Sequence, residues 1–506
     1  MNIFVANIGN RDIAFNVGTS SSPRFLTFSR QDREDAKEIQ YALKCEPGMR
    51  PVIRKLLTLY SGESRKKLLN MLRFPILRPA LWKALEYAAH LDKIILICTD
   101  QDPEQAGEHY HWDTVEAAEL LQELLSLESS LGPRLAGCPI EILKIERYPQ
   151  QFEHAYQHLD RCLAPYAKPH NQLYASVNGG IPALNAALRI HALNLFGPRA
   201  CLIETSEPSS DEEKRRGEEG HSYVANSWPY RRDTLLRVVR DLLAAYEYAG
   251  VLDVLERELT KAEQERYKTA LALLEHGAAR FNLNFAGARR ALNGHRFSKD
   301  EDAVAWKQSA REDPLTLQRL HELAWTARIL LERNDYLGFV VRAATLAETC
   351  RRQLVYLLIE INPKRSLSSD DVPDALRQVL NRNRSLIRHG SNWKVNQLVL
   401  NAIIAWGKDQ RSDLASRTPV ETAQRVIAEL QGIESLRNQV VHRTAGVSPA
   451  VLKHAFPDLD NVWQHIDTLL KAMEHAHLFL GQGVEVTPVR DLYARLNEKV
   501  LATLRA

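Results

Sequence analysis

The sequence predicts two structural classes in one chain: an α/β, doubly wound, Rossmann-like domain at the N-terminus and an all-α domain after it. Three observations carry this. Up to residue 206, short apolar runs alternate with helical patterns, the signature of a parallel sheet flanked by helices. At Glu207–Arg216 (Glu-Pro-Ser-Ser-Asp-Glu-Glu-Lys-Arg-Arg) the composition turns charged and loses its apolar anchors. Beyond it, almost every apolar residue falls at helical spacing. The expected division is therefore 1–206 for the α/β domain, 207–232 for a charged linker or loop, and 233–506 for the helical domain.

Each strand of the first domain reads as a short run bounded by turn residues. Ile3–Ala6 leads into Ile8-Gly9-Asn10-Arg11-Asp12. Lys93–Cys98 is almost uniformly apolar, as a strand buried on both faces must be, and ends in Thr99-Asp100-Gln101. Ile140–Ile145, Leu173–Val177 and Cys201–Glu204 read as further strands, with helical stretches around 79–91, 114–128 and 151–163 between some of them. Pro182 suits the first turn of a helix over Ala183–Leu195. In the second domain, Asp233 is the expected N-cap of a helix carrying Leu235, Leu236, Val238, Val239, Leu242, Leu243 and Tyr246. Thr418-Pro419-Val420-Glu421 has the form of a capping box with proline at the first helical position. Gly432 is the expected break between two helices, and Gly446 the expected stop.

Bulk properties narrow the classes of function. Lys and Arg number 66 against 63 Asp and Glu, a net charge of +3, so no overall field demands nucleic acid and any RNA site must be local. Six cysteines lie scattered without a Cys-x-x-Cys pair, which argues for a reducing compartment and against a zinc ribbon or disulfide frame. The opening Met1-Asn2-Ile3-Phe4-Val5-Ala6-Asn7 lacks a basic region and reads as a strand rather than a signal peptide. No apolar run is long enough to span a bilayer. The expectation is a cytoplasmic protein with no membrane contact.

Doubly wound sheets bind ligands beyond the carboxyl ends of their strands. Three turns fall there: Gly9-Asn10-Arg11-Asp12, Thr99-Asp100-Gln101 and Asn178-Gly179-Gly180. The two glycines let backbone amides approach a ligand closely, and the helix that follows offers an N-terminus to phosphate. A tight strand-to-helix turn without a ligand is the alternative. The fingerprints GxGxxG and GxxxxGK[ST] are absent, so neither an NAD enzyme nor a P-loop NTPase is supported. His109-Tyr110-His111-Trp112-Asp113 lacks a further ligand at convincing spacing and reads as a loop, not a metal site.

The chemistry concentrates in Ser435-Leu436-Arg437-Asn438-Gln439-Val440-Val441-His442. Histidine moves protons near neutral pH, and arginine holds a phosphate whose charge grows during reaction. On one helix, Arg437 and His442 stand about 140° apart, flanking a mostly polar face. They act together only if the helix ends, if Arg437 reaches across, or if two copies of the helix share a cleft. A solvated face with a surface arginine and a surface histidine is the bland alternative. The spacing Arg-Asn-x-x-x-His resembles the catalytic motif of HEPN ribonucleases. Together with the three turns, and with Tyr246-Glu247-Tyr248-Ala249-Gly250-Val251-Leu252 at the domain junction, it resembles the CRISPR-associated Rossmann fold (CARF) joined to HEPN, as in accessory ribonucleases of type III CRISPR systems.

The resemblance implies a homodimer whose CARF halves bind cyclic oligoadenylate, a second messenger, across the two-fold axis, since a symmetric ring fits one patch presented twice. It assigns Asn10, Arg11, Thr99, Gln101, Asn178, Gly179 and Gly180 to the ring, with Arg11 open to a second role as an ion-pair partner of Asp12. It implies single-stranded RNA as substrate and neither cofactor nor metal. The 2′-hydroxyl would attack the adjacent phosphorus while His442 assists proton transfer, Arg437 stabilises the developing charge and Asn438 orients His442 or the phosphate. A rival cluster, Asn381-Arg382-Asn383-Arg384-Ser385-Leu386-Ile387-Arg388-His389-Gly390, repeats the four-residue gap between Arg384 and His389, with Arg382-Asn383 two residues further from that histidine. It is an alternative active site, a lip that grips substrate phosphate, or a basic helix end. Two other classes remain open: a non-catalytic sensor that binds a partner or nucleic acid, and a CARF half that also degrades its own activator.

Overall fold

The computed structural model describes the chain except residues 20–21, 28–32, 47, 294–296, 298, 311–312, 314, 364–365, 384–385, 387, 390–391, 411–413, 444–445, 481–485, 487 and 506. Side chains are further undescribed at 33–34, 36, 63, 366, 388–389, 414–416 and 441–443. Two compact units divide between Leu235 and Leu236.

In the first unit, strands β1 (Asn2–Asn7), β5 (Lys93–Thr99), β6 (Ile140–Ile145), β7 (Gln172–Ser176), β8 (Ala200–Ser206) and β9 (His221–Val224) form one sheet in the order β6-β5-β1-β7-β8-β9. The first five are parallel, with Val5 opposite both Ile95 and Ala175. Alternate side chains serve opposite faces. Phe4, Ala6, Ile94 and Leu96 join the core beneath helices Leu77–Tyr87 and Val115–Leu125. Ile3, Val5, Ile95 and Ile97 join a second core beneath Phe152–Leu163 and Pro182–Phe196. Each of these larger than alanine, fully buried, contributes about 1.5–3 kcal/mol. This two-sided burial is why the strands read as continuous apolar runs, and it makes the sheet doubly wound as expected.

Three further strands, β2 (Ala14–Asn16), β3 (Phe25–Thr27) and β4 (Leu72–Arg73), form a small antiparallel sheet that the sequence reading did not anticipate. The segment 207–232, expected as a charged linker or loop, holds a helix and a strand. Ser210 and Glu213 make a capping box that starts a helix over Asp211–Arg216, and Gly217, at φ 75, ends it. The chain then returns as β9, antiparallel to β8, with Thr205 Oγ1 and Ser222 Oγ 2.7 Å apart in the buried seam. Glu219 fastens the return to Arg78 at 2.6 Å. The polar run has no apolar anchors because capping, ion pairs and strand pairing hold it instead.

The second unit is largely helical. Its central helix, Tyr336–Ile359, starts at Asp335, which accepts from the Gly338 amide at 2.8 Å. Phe339, Val340, Ala343, Leu346, Ala347, Cys350 and Leu354 form its buried stripe, at the three- and four-residue spacing of one helix face. Helices Leu317–Glu332, Gln397–Asp409 and Gln431–Arg443 pack against it. A small sheet of β10 (Ser366–Ser368), β11 (Arg388–His389) and β12 (Asn392–Lys394), ordered β10-β12-β11, departs from a purely α domain.

Helix starts differ from the sequence reading. Asp233 lies inside the helix Trp228–Ala244, because Asn226 already accepts from the Trp228 amide at 3.0 Å, about two turns upstream. Thr418 and Pro419 lie inside Leu414–Glu429, where the proline forfeits one intrahelical bond near the start. The expected break is present but falls at Leu430: one helix ends at Glu429 and the next begins at Gln431, with Gly432 in its first turn. A Cβ on Gly432 would stand 1.9 Å from the Ala455 carbonyl oxygen, so only glycine lets the helix Pro449–Ala455 come this close.

Candidate functional sites

In the first unit the winding reverses beside β1. The chain passes from β1 outward to β5 and β6, then returns to β7 on the other side. Ligand crevices in open α/β sheets lie at such a reversal, here between the ends of β1 and β7. Two loops meet there without a side-chain cushion. A Cβ on Gly9 would lie 2.3 Å from Gly180 N, and one on Gly179 would lie 2.1 Å from Asn7 O. Gly180 adopts φ 72. Asn10 Oδ1 is buried and has no hydrogen-bond partner among the described residues. Arg11 pairs with Glu207 at 2.5 Å rather than with Asp12. Lys214 completes that chain at 2.8 Å from Glu207, and its hydrogen bond, helped by Arg11, holds the Glu207 carboxyl below its usual range. Beside them a cleft of about 550 Å³ opens, walled by Phe25, Arg73 and Lys214.

The other expected ring contacts also serve internal bonds. Thr99 is 5 % exposed and trades backbone-to-hydroxyl bonds with Thr114, at 3.1 and 3.2 Å. Gln101 donates its backbone N and its Nε2 to Asp113, at 2.6 and 2.9 Å. Asn178 Oδ1 accepts from Thr205 N at 2.7 Å, tying the β7 loop to β8. Arg11 thus lines the cleft beside Glu207, Gly179 and Gly180 meet Asn7 and Gly9 where the β1 and β7 loops touch, and Thr99, Gln101 and Asn178 brace the loops after β5 and β7. The sequence reading missed Arg50, 4 % exposed, which binds Asp100 at 2.9 Å, Asp113 at 3.1 Å and Glu116 at 3.1 Å and lies 4.0 Å above the Tyr110 ring. It anchors the whole loop after β5. The run His109–Asp113 is part of that anchorage, with Asp113 bound to Arg50 and Gln101.

In the second unit, Ile433, Leu436 and Val440 fasten the helix Gln431–Arg443 to the core. Glu434, Arg437 and Asn438, on another side of it, line a cleft of about 300 Å³ together with Arg351, Arg352 and Asn396. Arg351 makes a two-pronged ion pair with Glu434, one prong at 2.7 Å. Arg352 is held by Glu348 at 2.9 Å. Arg437 donates to Asn438 Oδ1 at 3.0 Å and has no carboxylate partner among the described residues. His442 lies in the last turn of the same helix, and its side chain falls outside the described residues. The rival cluster is not one helix. Arg382 ends the helix Asp374–Arg382, Asn383 follows it in extended geometry, and His389 sits on β11 opposite Asn392. Arg384 and the side chain of His389 lie outside the described residues.

Among solved structures, the chain resembles Enterococcus italicus Csm6 bound to cyclic hexa-2′-fluoro-hexa-dAMP, with a TM-score of 0.53 and 13 % identity, covering 99 % of this chain and 100 % of that one. This is a CARF–HEPN fold of the Csm6 type. No protein-family model matches the sequence, and no curated protein does. In the CARF unit, strand β1 carries the loop that faces the reversal point. In the HEPN unit, the helix with Arg437 supplies one wall of the cleft. No helix among the described residues is long and apolar enough to cross a membrane.

The sequence offered Asp12 only as an alternative ion-pair partner of Arg11, and its burial was not anticipated. Asp12 is 2 % exposed and accepts from the Gly9 amide at 2.6 Å. Burial pushes its carboxyl up to about 7, the Gly9 bond offsetting part of the rise. An acid with a raised folded value weakens the fold as pH climbs from about 4, where the unfolded chain ionises, and the penalty levels off above the folded value. Asp12→Asn keeps an acceptor for Gly9 and removes this penalty. Chemical denaturation is expected to show the variant more stable at pH 7.5 by about 2–4 kcal/mol, with the parent's loss of stability between pH 4 and 7 flattened. An unchanged pH slope would show that Asp12 is ionised in the fold.

Proposed function

We propose that the protein is an endoribonuclease of CRISPR antiviral defence that cyclic oligoadenylate switches on and that cuts single-stranded RNA without a metal. The observation that carries this reading is the charge state of the HEPN cleft: its other two arginines are matched by Glu434 and Glu348, while Arg437 is left to an anion. An arginine without a carboxylate at the wall of a concave site suits an RNA phosphate, which its fork can hold in two places.

The chemistry follows from the groups. The RNA 2′-oxygen forms a bond to phosphorus and the bond from phosphorus to the 5′-oxygen breaks. An imidazole of His442 takes the 2′-proton, and an imidazolium returns one to the departing 5′-oxygen. Arg437 stabilises the charge that builds on the phosphoryl oxygens, and Asn438, bonded to it, sets its orientation. The products are a 2′,3′-cyclic phosphate and a 5′-hydroxyl. Because Arg437 and His442 diverge by about 140° on one helix, a cleft shared by two copies of the chain is the simplest way to unite them. The activator, a symmetric ring, binds the CARF crevice of such a homodimer and favours the cleaving form by binding it more tightly. Asn10 and Arg11 face it from the β1 loop and Gly179 and Gly180 offer backbone amides from the β7 loop, with Thr99, Gln101 and Asn178 at the rim.

The test mixes purified protein with end-labelled RNA, with and without each of cyclic tetra- and hexaadenylate, in the presence of a chelator. Ring-dependent cleavage that spares DNA and disappears in His442→Ala is expected. Loss in His389→Ala with retention in His442→Ala would move the active site to the rival cluster. Ring binding without cleavage under any condition would leave a non-catalytic sensor.

A further inference from the structure

The HEPN cleft contains a buried ion pair whose arrangement suits placement better than stability. Arg351, on the central helix Tyr336–Ile359, is 2 % exposed, and both its terminal nitrogens go to Glu434. Gln397, at the start of a third helix, adds its Nε2 to the same carboxylate at 3.4 Å. Three helices therefore converge on one side chain, and that side chain lies three residues before Arg437 and four before Asn438, the positions above it on a helix surface. Replacing such a pair by apolar groups of similar size commonly leaves stability unchanged or improves it, because the charges were costly to remove from water. Here the cost is higher still: Arg351 Nε is buried with no partner among the described residues, so its lost hydration is not repaid. An interaction so poorly optimised for stability points to another use.

We infer that Arg351 and Glu434 are the positioning residues of the ribonuclease site: the fork of Arg351 fixes the rotation of the helix turn that carries Arg437 and Asn438, and so aims the guanidinium at the phosphate. Their role is to aim Arg437, not to hold RNA themselves. A carboxylate held by two parallel bonds admits one orientation of the turn, whereas packing of Leu436 and Val440 alone leaves the helix free to rotate by small amounts. This inference rests on the ribonuclease reading.

The test uses the full chain with its activator. Arg351→Met combined with Glu434→Leu removes the pair without stranding a charge, so its melting temperature is expected to stay at or above the parent's. Its KM for RNA is expected to stay within about threefold of the parent's while kcat falls by about 100-fold, the effect of a misplacement near 1 Å. Arg351→Lys keeps the charge and loses the fork; it is expected to cut kcat by about tenfold at unchanged KM, and it serves if the double variant does not fold. A folded variant of either kind with the parent's kcat overturns the inference while leaving the ribonuclease reading intact. A parent that leaves RNA whole overturns both.

Discussion

Arg437→Ala is expected to lower ring-activated RNA cleavage by about 10²–10³-fold in kcat while the protein melts within a few degrees of the parent. The two halves of that expectation have one cause. Arg437 is bonded to Asn438 and to no carboxylate among the described residues, so deleting it strands no buried charge and leaves the fold alone. In the proposed mechanism, by contrast, the phosphoryl oxygens lose the group that meets their growing charge. Arg437→Lys is the sharper comparison. Lysine restores the charge without the fork, so kcat is expected to recover only in part. The measurement is single-turnover cleavage of labelled RNA at saturating ring, beside a melting curve. A full-rate Arg437→Ala enzyme would remove this cleft from the chemistry.

The largest effect on stability is expected at Arg280, deep in the same unit. Arg280 and Glu322 are both 0 % exposed, and Arg280 Nε meets Glu322 at 2.6 Å. Arg280 also donates to the Trp306 carbonyl at 3.0 Å and to Ser309 at 3.1 Å, while Tyr493 donates to Glu322 at 3.1 Å. The pair thus ties the helices that carry residues 280, 306, 322 and 493. Arg280→Met leaves a carboxylate buried without its cation, at a cost of about 3–5 kcal/mol. The helical circular-dichroism signal is expected to melt about 6–15 °C lower. Adding Glu322→Leu removes the stranded charge and is expected to recover most of the loss. A single variant as stable as the parent would mean that water reaches Glu322.

The sheet was legible because burial on both faces writes itself into the sequence. Ile3–Ala6 and Lys93–Cys98 have no polar side to present, and both are strands as read. The small sheet was not legible, since Ala14 pairs with Arg73 and neither two- nor three-residue strand has room for a pattern. Strand β9 was hidden for a related reason: as an edge strand, with Tyr223 exposed and only Ser222 fully buried, it carries no apolar run. The candidate sites divide the same way. The Arg437–His442 spacing and the glycines at 179 and 180 are local and could be read directly. The groups that hold them are not local. Arg50 finds its carboxylates 50, 63 and 66 positions away, and Arg351 finds Glu434 at a separation of 83. Such partnerships exist only once the chain has folded.

The bare contact of Gly9 with Gly180, and of Gly179 with the Asn7 carbonyl, has a mechanical consequence. Side chains yield by changing rotamer, but main chain pressed on main chain has no such slack. A molecule wedged into that seam must shift whole strand ends, turning occupancy directly into displacement of the sheet's central rods.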